Sequence, residues 1–317
     1  VFELDAGNAA AYLRKPVRVR ELGGGVSNTV LLIEDGAGRF VLKQALGKLR
    51  VEQDWFSERT RIFREAAALR LLAPHLPPGA VPEVLFEDRD NCLFAMTAAP
   101  DGAPAWKSQL LEGVASEETA QQVGSMLGLI FRASWEKPEW EREFGDQTVF
   151  DQLRLDPYYR STAARHPELK PRFERLLETT ARRRCCLVHG DWSPKNFLVS
   201  GRSVMAIDFE VIHFGDPSFD SAFLLNHLLL KSFYRPQWRD RYRALAVRFW
   251  ETLIATMPPA DWFEQATLEH LGCLLLARID GKSPAEYIQA GELRDSIRSF
   301  AARLITRPPA RVLEVFR

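Results

Sequence analysis

The chain has no excess of charge of either sign: 42 lysines and arginines face 42 aspartates and glutamates among 317 residues. No global field therefore draws in a polyanion, and with neither a basic stripe nor an aromatic platform a nucleic-acid partner has no footing. Any anion site must be local. Cysteine is scarce: Cys92, Cys185, Cys186 and Cys273 contain no C-x-x-C pair. That removes a thiolate zinc site or dithiol redox motif and leaves a reducing cytoplasm as the expected compartment. Long apolar runs are also missing, since nothing approaches the ~18 uninterrupted residues of a membrane span. The stretch 222–230 is broken by Asn226 and His227, and 271–277 is only of helix-core length. Residues 1–5 lack a basic segment leading into an apolar one, so no secretion signal is expected there. What the chain does have is 46% hydrophobic residues, enough apolar mass for one large domain or two fused lobes.

The first hundred residues read as strand-rich. Short β-favouring runs at 17–21, 29–34 and 40–44 are divided by Gly23-Gly24-Gly25 and by the hairpin signal Asp35-Gly36-Ala37-Gly38. A helical stretch at 57–72 ends at Pro74, Pro77 and Pro78, and two more strands follow near 84–87 and 92–96. The small, turn-rich segment 98–104 then reads as a connector between lobes. Residues 1–97 are expected to form one lobe and 98–317 a second. Apolar residues at three- and four-residue spacings predict helices over 117–134, 168–183, 219–231, 237–256, 262–277 and 292–306. Within that lobe, short apolar runs at 185–188, 197–199 and 204–207 predict small strands presenting a loop.

That loop carries the strongest chemical signal. His189-Gly190-Asp191-Trp192-Ser193-Pro194-Lys195-Asn196 is followed by an apolar strand, a turn, and a second strand ending in Asp208-Phe209-Glu210. Three hard oxygen donors at one mouth suit phosphate and a hard cation, because Mg²⁺ takes one or two carboxylates plus an amide oxygen and leaves its other positions to phosphate and water. Asn196 and Asp208 fit the metal, while Asp191 is left to accept a hydroxyl proton. The pattern H-G-D-x-x-x-x-N with I-D-F-E, and with Phe214-Gly215-Asp216-Pro217-Ser218-Phe219-Asp220 after it, resembles the aminoglycoside phosphotransferase and choline kinase superfamily over roughly 18–230. The resemblance implies an α+β, bilobal protein-kinase-like fold with a small antiparallel-sheet N-lobe and a large, mainly helical C-lobe. It also implies ATP or GTP with Mg²⁺ as cofactors and a small-molecule hydroxyl as acceptor.

Such a fold needs a lysine on the third strand and a glutamate on the following helix, and both are present. Ile62, Glu65, Leu69 and Leu72 share one helical stripe, so Glu65 faces the core, where a carboxylate is costly unless paired. Lys43 is the natural partner, and by resemblance it holds the α- and β-phosphates. Gly23, Gly24 and Gly25 stand where the superfamily places its nucleotide-covering loop, with Ser27 and Asn28 as added donors; the same residues also suit a plain hairpin turn, since Asn28 occupies the third glycine position. Glu210 replaces the glycine of the protein-kinase D-F-G, as in choline kinases, and the resemblance lends it a part at the metal. Lys195 is read either as a second catalytic group neutralising the transferring phosphoryl or as a surface lysine. The adenine is expected against the connector at Met96 and Ala98. His189 is expected to be structural, and Asp220 to be either a helix-start acid or the carboxylate that ties down the catalytic loop.

The acceptor is less legible. Lys43-Gln44-Ala45-Leu46 resembles a stretch of methylthioribose kinases, which favours a sugar-like hydroxyl. Arg278 and Asp280 interrupt the C-terminal helices and suit either a polar substrate or a charged turn. Scattered acids (Glu210, Asp216, Asp280) and tryptophans (Trp238, Trp250, Trp262) leave a cationic antibiotic and a quaternary amine equally open. A protein kinase is disfavoured by Glu210 and by the lack of an A-P-E segment; a pseudokinase, by retention of the proton acceptor.

Overall fold

The computed structural model describes residues 2–23, 27–48, 50 and 58–317. Its first part is a five-stranded antiparallel sheet in the order β1-β2-β3-β5-β4, built from β1 (Arg18–Glu21), β2 (Asn28–Asp35), β3 (Gly38–Ala45), β4 (Val84–Asp88) and β5 (Leu93–Thr97). A short helix α1 (Ala9–Leu13) precedes it, and α2 (Arg61–Leu72) packs on one face. Alternation along β3 sorts its residues. Leu42 joins Leu31, Ile33 and Ala95 in a small core on one side, whereas Val41 and Ala45 join Ile62, Leu69 and Leu72 of α2 on the other. Lys43 lies on that second, α2-facing side.

The alanine-rich run of α2 is a good helix former, and the chain turns out of it at Ala73-Pro74. Its buried face consists of Arg61, Ile62, Glu65, Ala66, Ala68, Leu69 and Leu72. Two charges thus lie on the stripe that the apolar spacing assigned to the core.

After Thr97 the chain is mostly helical: α3 (Trp106–Leu111), α4 (Glu117–Ser134), α5 (Pro138–Phe144), α6 (Thr148–Phe150), α7 (Ser161–Arg165), α8 (Lys170–Arg182), α9 (Ser218–Tyr234), α10 (Arg239–Thr256), α11 (Phe263–Asp280) and α12 (Gly291–Thr306). Between α6 and α7 the backbone winds as a wide π-helix over Asp151–Arg160, with Pro157 inside it. Ser116 caps α4 by accepting from the Thr119 N–H, with Glu117 and Glu118 favourably placed in the first turn. The α4–α10 contact is close enough that a Cβ on Gly124 would stand 2.6 Å from the Phe249 carbonyl oxygen. The remaining strands are β6 (Cys186–Val188), β7 (Phe197–Ser200), β8 (Ser203–Ala206) and β9 (His213–Gly215); β6 pairs with β9, and β7 with β8, both antiparallel. Strand β9 was not expected from the sequence, and neither were α3, α5, α6, α7 or the π-helix. No helix among the described residues is long and apolar enough to cross a membrane. The architecture is the bilobal α+β fold that the motifs implied.

Candidate active site

The two strand pairs hold the loop 189–196 from both ends. β6 delivers His189 into the loop, and the β7–β8 hairpin returns the chain to Asp208. Gly190 takes a left-handed conformation (φ 76°), and a Cβ there would lie 2.7 Å from Val211 Cγ1, so only glycine passes without displacing a neighbour. The buried Asp220, in the first turn of α9, accepts from the backbone N–H groups of His189 (2.6 Å) and Gly190 (2.9 Å). It therefore ties the loop down, the second of the two roles the sequence left open. Burial pushes its carboxyl up, against the pull of those two donors. His189 accepts the Asp191 N–H on Nδ1 and donates from Nε2 to the Ile207 carbonyl, and burial holds it neutral, with a pKa of about 4. It is a strut.

Asp191 itself is buried, and its Oδ2 is flanked by Lys195 Nζ at 2.7 Å and Arg154 Nη2 at 3.0 Å. Burial alone would raise its pKa, but these two cations more than reverse that and hold it below the usual carboxylate range. Arg154 also donates to the carbonyls of Gly190 (2.6 Å) and Leu153 (2.7 Å), so it braces the loop backbone as well. The sequence reading missed Arg154, because it sits in the π-helix, where neither helical nor strand periodicity applies. Asn196 donates from Nδ2 to the Asp191 carbonyl at 2.9 Å. That bond fixes the amide orientation and reserves Oδ1 as an oxygen donor.

On the opposite wall, the buried Lys43 ammonium lies 2.9 and 2.7 Å from the two oxygens of Glu65 and 2.6 Å from Asp208 Oδ1. Glu65 also accepts the Phe209 N–H at 3.2 Å. Burial works against the lysine's charge, yet Asp208 and Glu65 outweigh it and raise its pKa, so it stays protonated. Asp208 adopts φ 68°, a left-handed conformation uncommon for a residue with a side chain, and its carboxylate remains partly exposed. Its pKa is lowered: burial would raise it, but Lys43 and Lys195 reverse the sign. Among the described residues no cluster of three or more His, Cys, Asp or Glu could hold a metal by itself. One free carboxylate edge on Asp208 and one amide oxygen on Asn196 suit a cation that arrives already bound to phosphate.

Glu210 departs from the expected place at the metal. It accepts from Ser27 Oγ (2.6 Å), Asn28 Nδ2 (2.9 Å) and Arg61 Nε (3.0 Å), all buried, so both of its oxygens are spent on tying β2 and α2 to the second lobe. Ser27 and Asn28 correspondingly give these donors to Glu210. Asp208, two residues earlier, spends Oδ1 on Lys43 instead. Gly23 lies in the β1–β2 connection with open space around it, and Gly24 and Gly25 fall outside the described residues. Met96 is buried on β5, paired with Val41 and Val84, and Ala98 is half-buried just beyond it.

Asp280 is held by Arg298 (2.7 and 2.8 Å) and by His166 Nε2 (2.8 Å), a network between helices that takes up both of its oxygens. Arg278 instead points inward, 3.3 Å from the Tyr158 hydroxyl. The structure thus separates these two expected substrate residues. Trp250 stacks on Phe263 in the helical core, and Asp216 binds Ser218 and Arg183, so both side chains are already engaged in packing and in structural hydrogen bonds.

A family model described as APH, the phosphotransferase enzyme family, matches residues 18–263. Methylthioribose kinase 2 of Oryza sativa subsp. japonica is 26% identical over 251 residues, which cover 70% of this chain and 58% of that protein. Methylthioribose kinase of Exiguobacterium sibiricum is 25% identical over 282 residues, covering 80% and 71%. The chain therefore spans little more than half the length of the rice relative. Among solved structures, the amicoumacin kinase hAmiN with AMP-PNP, Ca²⁺ and Ami superposes with a TM-score of 0.58 at 15% identity, over 94% of this chain and 92% of that one. Spectinomycin phosphotransferase APH(9)-Ia with ADP and spectinomycin gives 0.56 at 14%, over 99% and 98%. At such identities the likeness is one of fold. With a paired lysine facing an aspartate-bearing loop across the lobes, and a family match over most of its length, the chain belongs to the phosphotransferase enzyme family.

Proposed function

We propose that the chain is a small-molecule kinase that moves the γ-phosphoryl group of ATP to a hydroxyl of a small polar acceptor. The observation that carries this reading is the Lys43–Asp208 contact of 2.6 Å, backed by Glu65, which joins residues 165 apart in sequence into one phosphate-binding wall. In this reading residues 1–97 hold the nucleotide, with Met96 and Ala98 against the base, and 98–317 supply catalysis and the acceptor site. Lys43 binds the phosphates, and Asp208 and Asn196 hold Mg²⁺, which when bound draws charge from the phosphate oxygens.

Asp191 accepts the hydroxyl hydrogen bond of the acceptor. Because its pKa is held low, it acts chiefly by orienting that hydroxyl and takes the proton late, which suits a loose phosphoryl transfer. The acceptor oxygen bonds to the γ-phosphorus, the bond to the β-bridging oxygen breaks, ADP leaves, and the proton passes to Asp191. Lys195, beside Asp191 and half-exposed, neutralises the moving phosphoryl group.

The test is Mg-dependent transfer of labelled phosphate from ATP, with GTP as a parallel donor, to a panel of sugars, amino-alcohols, hydroxy-acids and aminoglycosides. Transfer that Asp191→Ala abolishes while ADP binding persists supports the reading. Nucleotide binding with no transfer to any member, or transfer only to protein, overturns it.

A further inference from the structure

Helix α9 starts beneath the catalytic loop, where Asp220 holds it, and runs away from it. Residues 220, 223, 227, 231 and 234 are spaced by three and four and therefore share one face. The near end of that face abuts the chemistry. Phe223 packs 5.9 Å from the Tyr158 ring and 5.2 Å from His227, with the Arg154 guanidinium 5.9 Å away. Tyr158 in turn lies between Arg154, which binds Asp191, and Arg278.

Beyond Tyr158 the cations stop being matched. Arg278 is 8% exposed, and its Nη1 is occupied by Ser283 and Tyr158, but its Nε is buried without a partner and nothing among the described residues bonds Nη2. The free edge is the side-on fork that grips carboxylate or phosphate oxygens in pairs. Lys231 is fully buried under the Tyr287 ring (5.4 Å), and its only hydrogen bond among the described residues is a long one, 3.4 Å, to the His227 carbonyl. The Tyr287 hydroxyl is likewise buried without a partner among the described residues. Neither Arg278 nor Lys231 has a carboxylate within 4 Å among the described residues. The nearby Glu286 is already paired with Lys107. A buried unpaired cation is costly, and a protein that keeps two of them side by side has a use for an anion there.

We propose, resting on the kinase reading above, that this face is the acceptor subsite and that it selects an anionic acceptor: a small hydroxylated molecule whose carboxylate or phosphate group sits on the Arg278 fork and the Tyr287 hydroxyl, backed by Lys231, while its hydroxyl reaches Asp191. Electrostatics agree. Burial, Lys107 and Arg278 push the Lys231 ammonium down to about 7, with Glu286 pulling the other way. His227 is pushed well below its ordinary value by burial and by Arg278, Lys231, Lys195 and Lys107, which places the cluster within the field of the catalytic loop.

The experiment has a binding arm and a turnover arm. In ADP-saturated protein, acetate and inorganic phosphate are compared with chloride at equal ionic strength by thermal shift and calorimetry. At least one of the two is expected to bind, and which one does distinguishes a carboxylate from a phosphate headgroup. Arg278→Met should weaken that binding at least tenfold and Lys231→Met three- to tenfold, Arg278→Lys should fall between wild type and Arg278→Met, and ADP affinity should be unchanged in all three, which also certifies their folding. Equal anion response in wild type and variants overturns the proposal.

In the turnover arm, glycerate and glycerol 3-phosphate are set against glycerol and ethanolamine. Transfer confined to anionic members, with acceptor KM raised in Arg278→Met, supports the proposal. Efficient transfer to neutral or cationic members, indifferent to Arg278→Met, overturns it and leaves the kinase reading intact. Selective anion binding with no transfer to any acceptor removes the kinase reading and keeps the anion site.

Discussion

Two sets of buried charge in this molecule are handled in opposite ways. Around the cleft, buried charges stand in pairs: Lys43 with Glu65 and Asp208, Arg61 with Glu210, and Arg154, joined by the half-exposed Lys195, with Asp191. Along α9 and α11, Lys231 and Arg278 are buried with none among the described residues. Matched charge is architecture, since it locks strands, helix and loop in register whether or not a ligand is bound. Unmatched charge carries a standing energetic cost, and only a ligand of opposite sign removes it.

The largest expected effect comes from breaking the matched set at its chemical centre. Asp191→Asn preserves size and most hydrogen bonding but leaves Arg154 and Lys195 without their anion, and kcat in the transfer assay should fall by about 10²–10⁴-fold. ADP affinity by calorimetry should change little. Next is the clamp between the lobes. Glu210→Ala takes from the buried Arg61 the carboxylate 3.0 Å from its Nε and should cost about 3–5 kcal/mol in denaturant unfolding, whereas the double variant Arg61→Met/Glu210→Leu should recover most of that loss. A single variant no worse than the double would show that the clamp is not a matched pair.

The unmatched set predicts the reverse sign. Lys231→Met should raise Tm by a few degrees at pH 6. The folded-state pKa of about 7 lies below the ordinary 10.5, so between these values the unfolded chain holds a proton that the folded one lacks. Wild-type stability therefore gains with rising pH across that window, and the advantage of the variant should shrink from pH 7 upward and vanish above about 10.5. The smallest effect belongs to exposed pairs: Arg248→Ala, which removes the surface contact with Glu117, should shift stability by under about 0.5 kcal/mol. A larger loss there would blur the distinction between buried and exposed charge on which the comparison depends.

What the sequence made legible follows the range of the interactions. Asp191 and Asn196 share one short loop whose spacing is visible directly, and Glu65 betrays itself as a carboxylate on an apolar stripe. Lys43 follows as its partner. Arg61 lies on that same stripe yet was passed over, because its partner Glu210 is 149 residues away and no local pattern links them. Arg154 was hidden by the π-helix, and β9, at three residues, is too short to show a period. Glu210 was misdirected by adjacency: it stands two residues beyond a metal-suited aspartate, but the donors that take up its oxygens, Ser27, Asn28 and Arg61, lie far away in sequence where no local pattern shows them. Lys231 stands just after an apolar run, and only packing reveals that it is interred.

The anchoring of α9 bears on how such a protein diverges. Asp220, which ties down the loop carrying Asp191, and Lys231, on the face proposed to take the acceptor, ride on one rigid rod about 16 Å apart at 1.5 Å per residue. A descendant can exchange what stands at 227 and 231 for other chemistry, and so change its diet, while the first turn goes on steadying the same reaction.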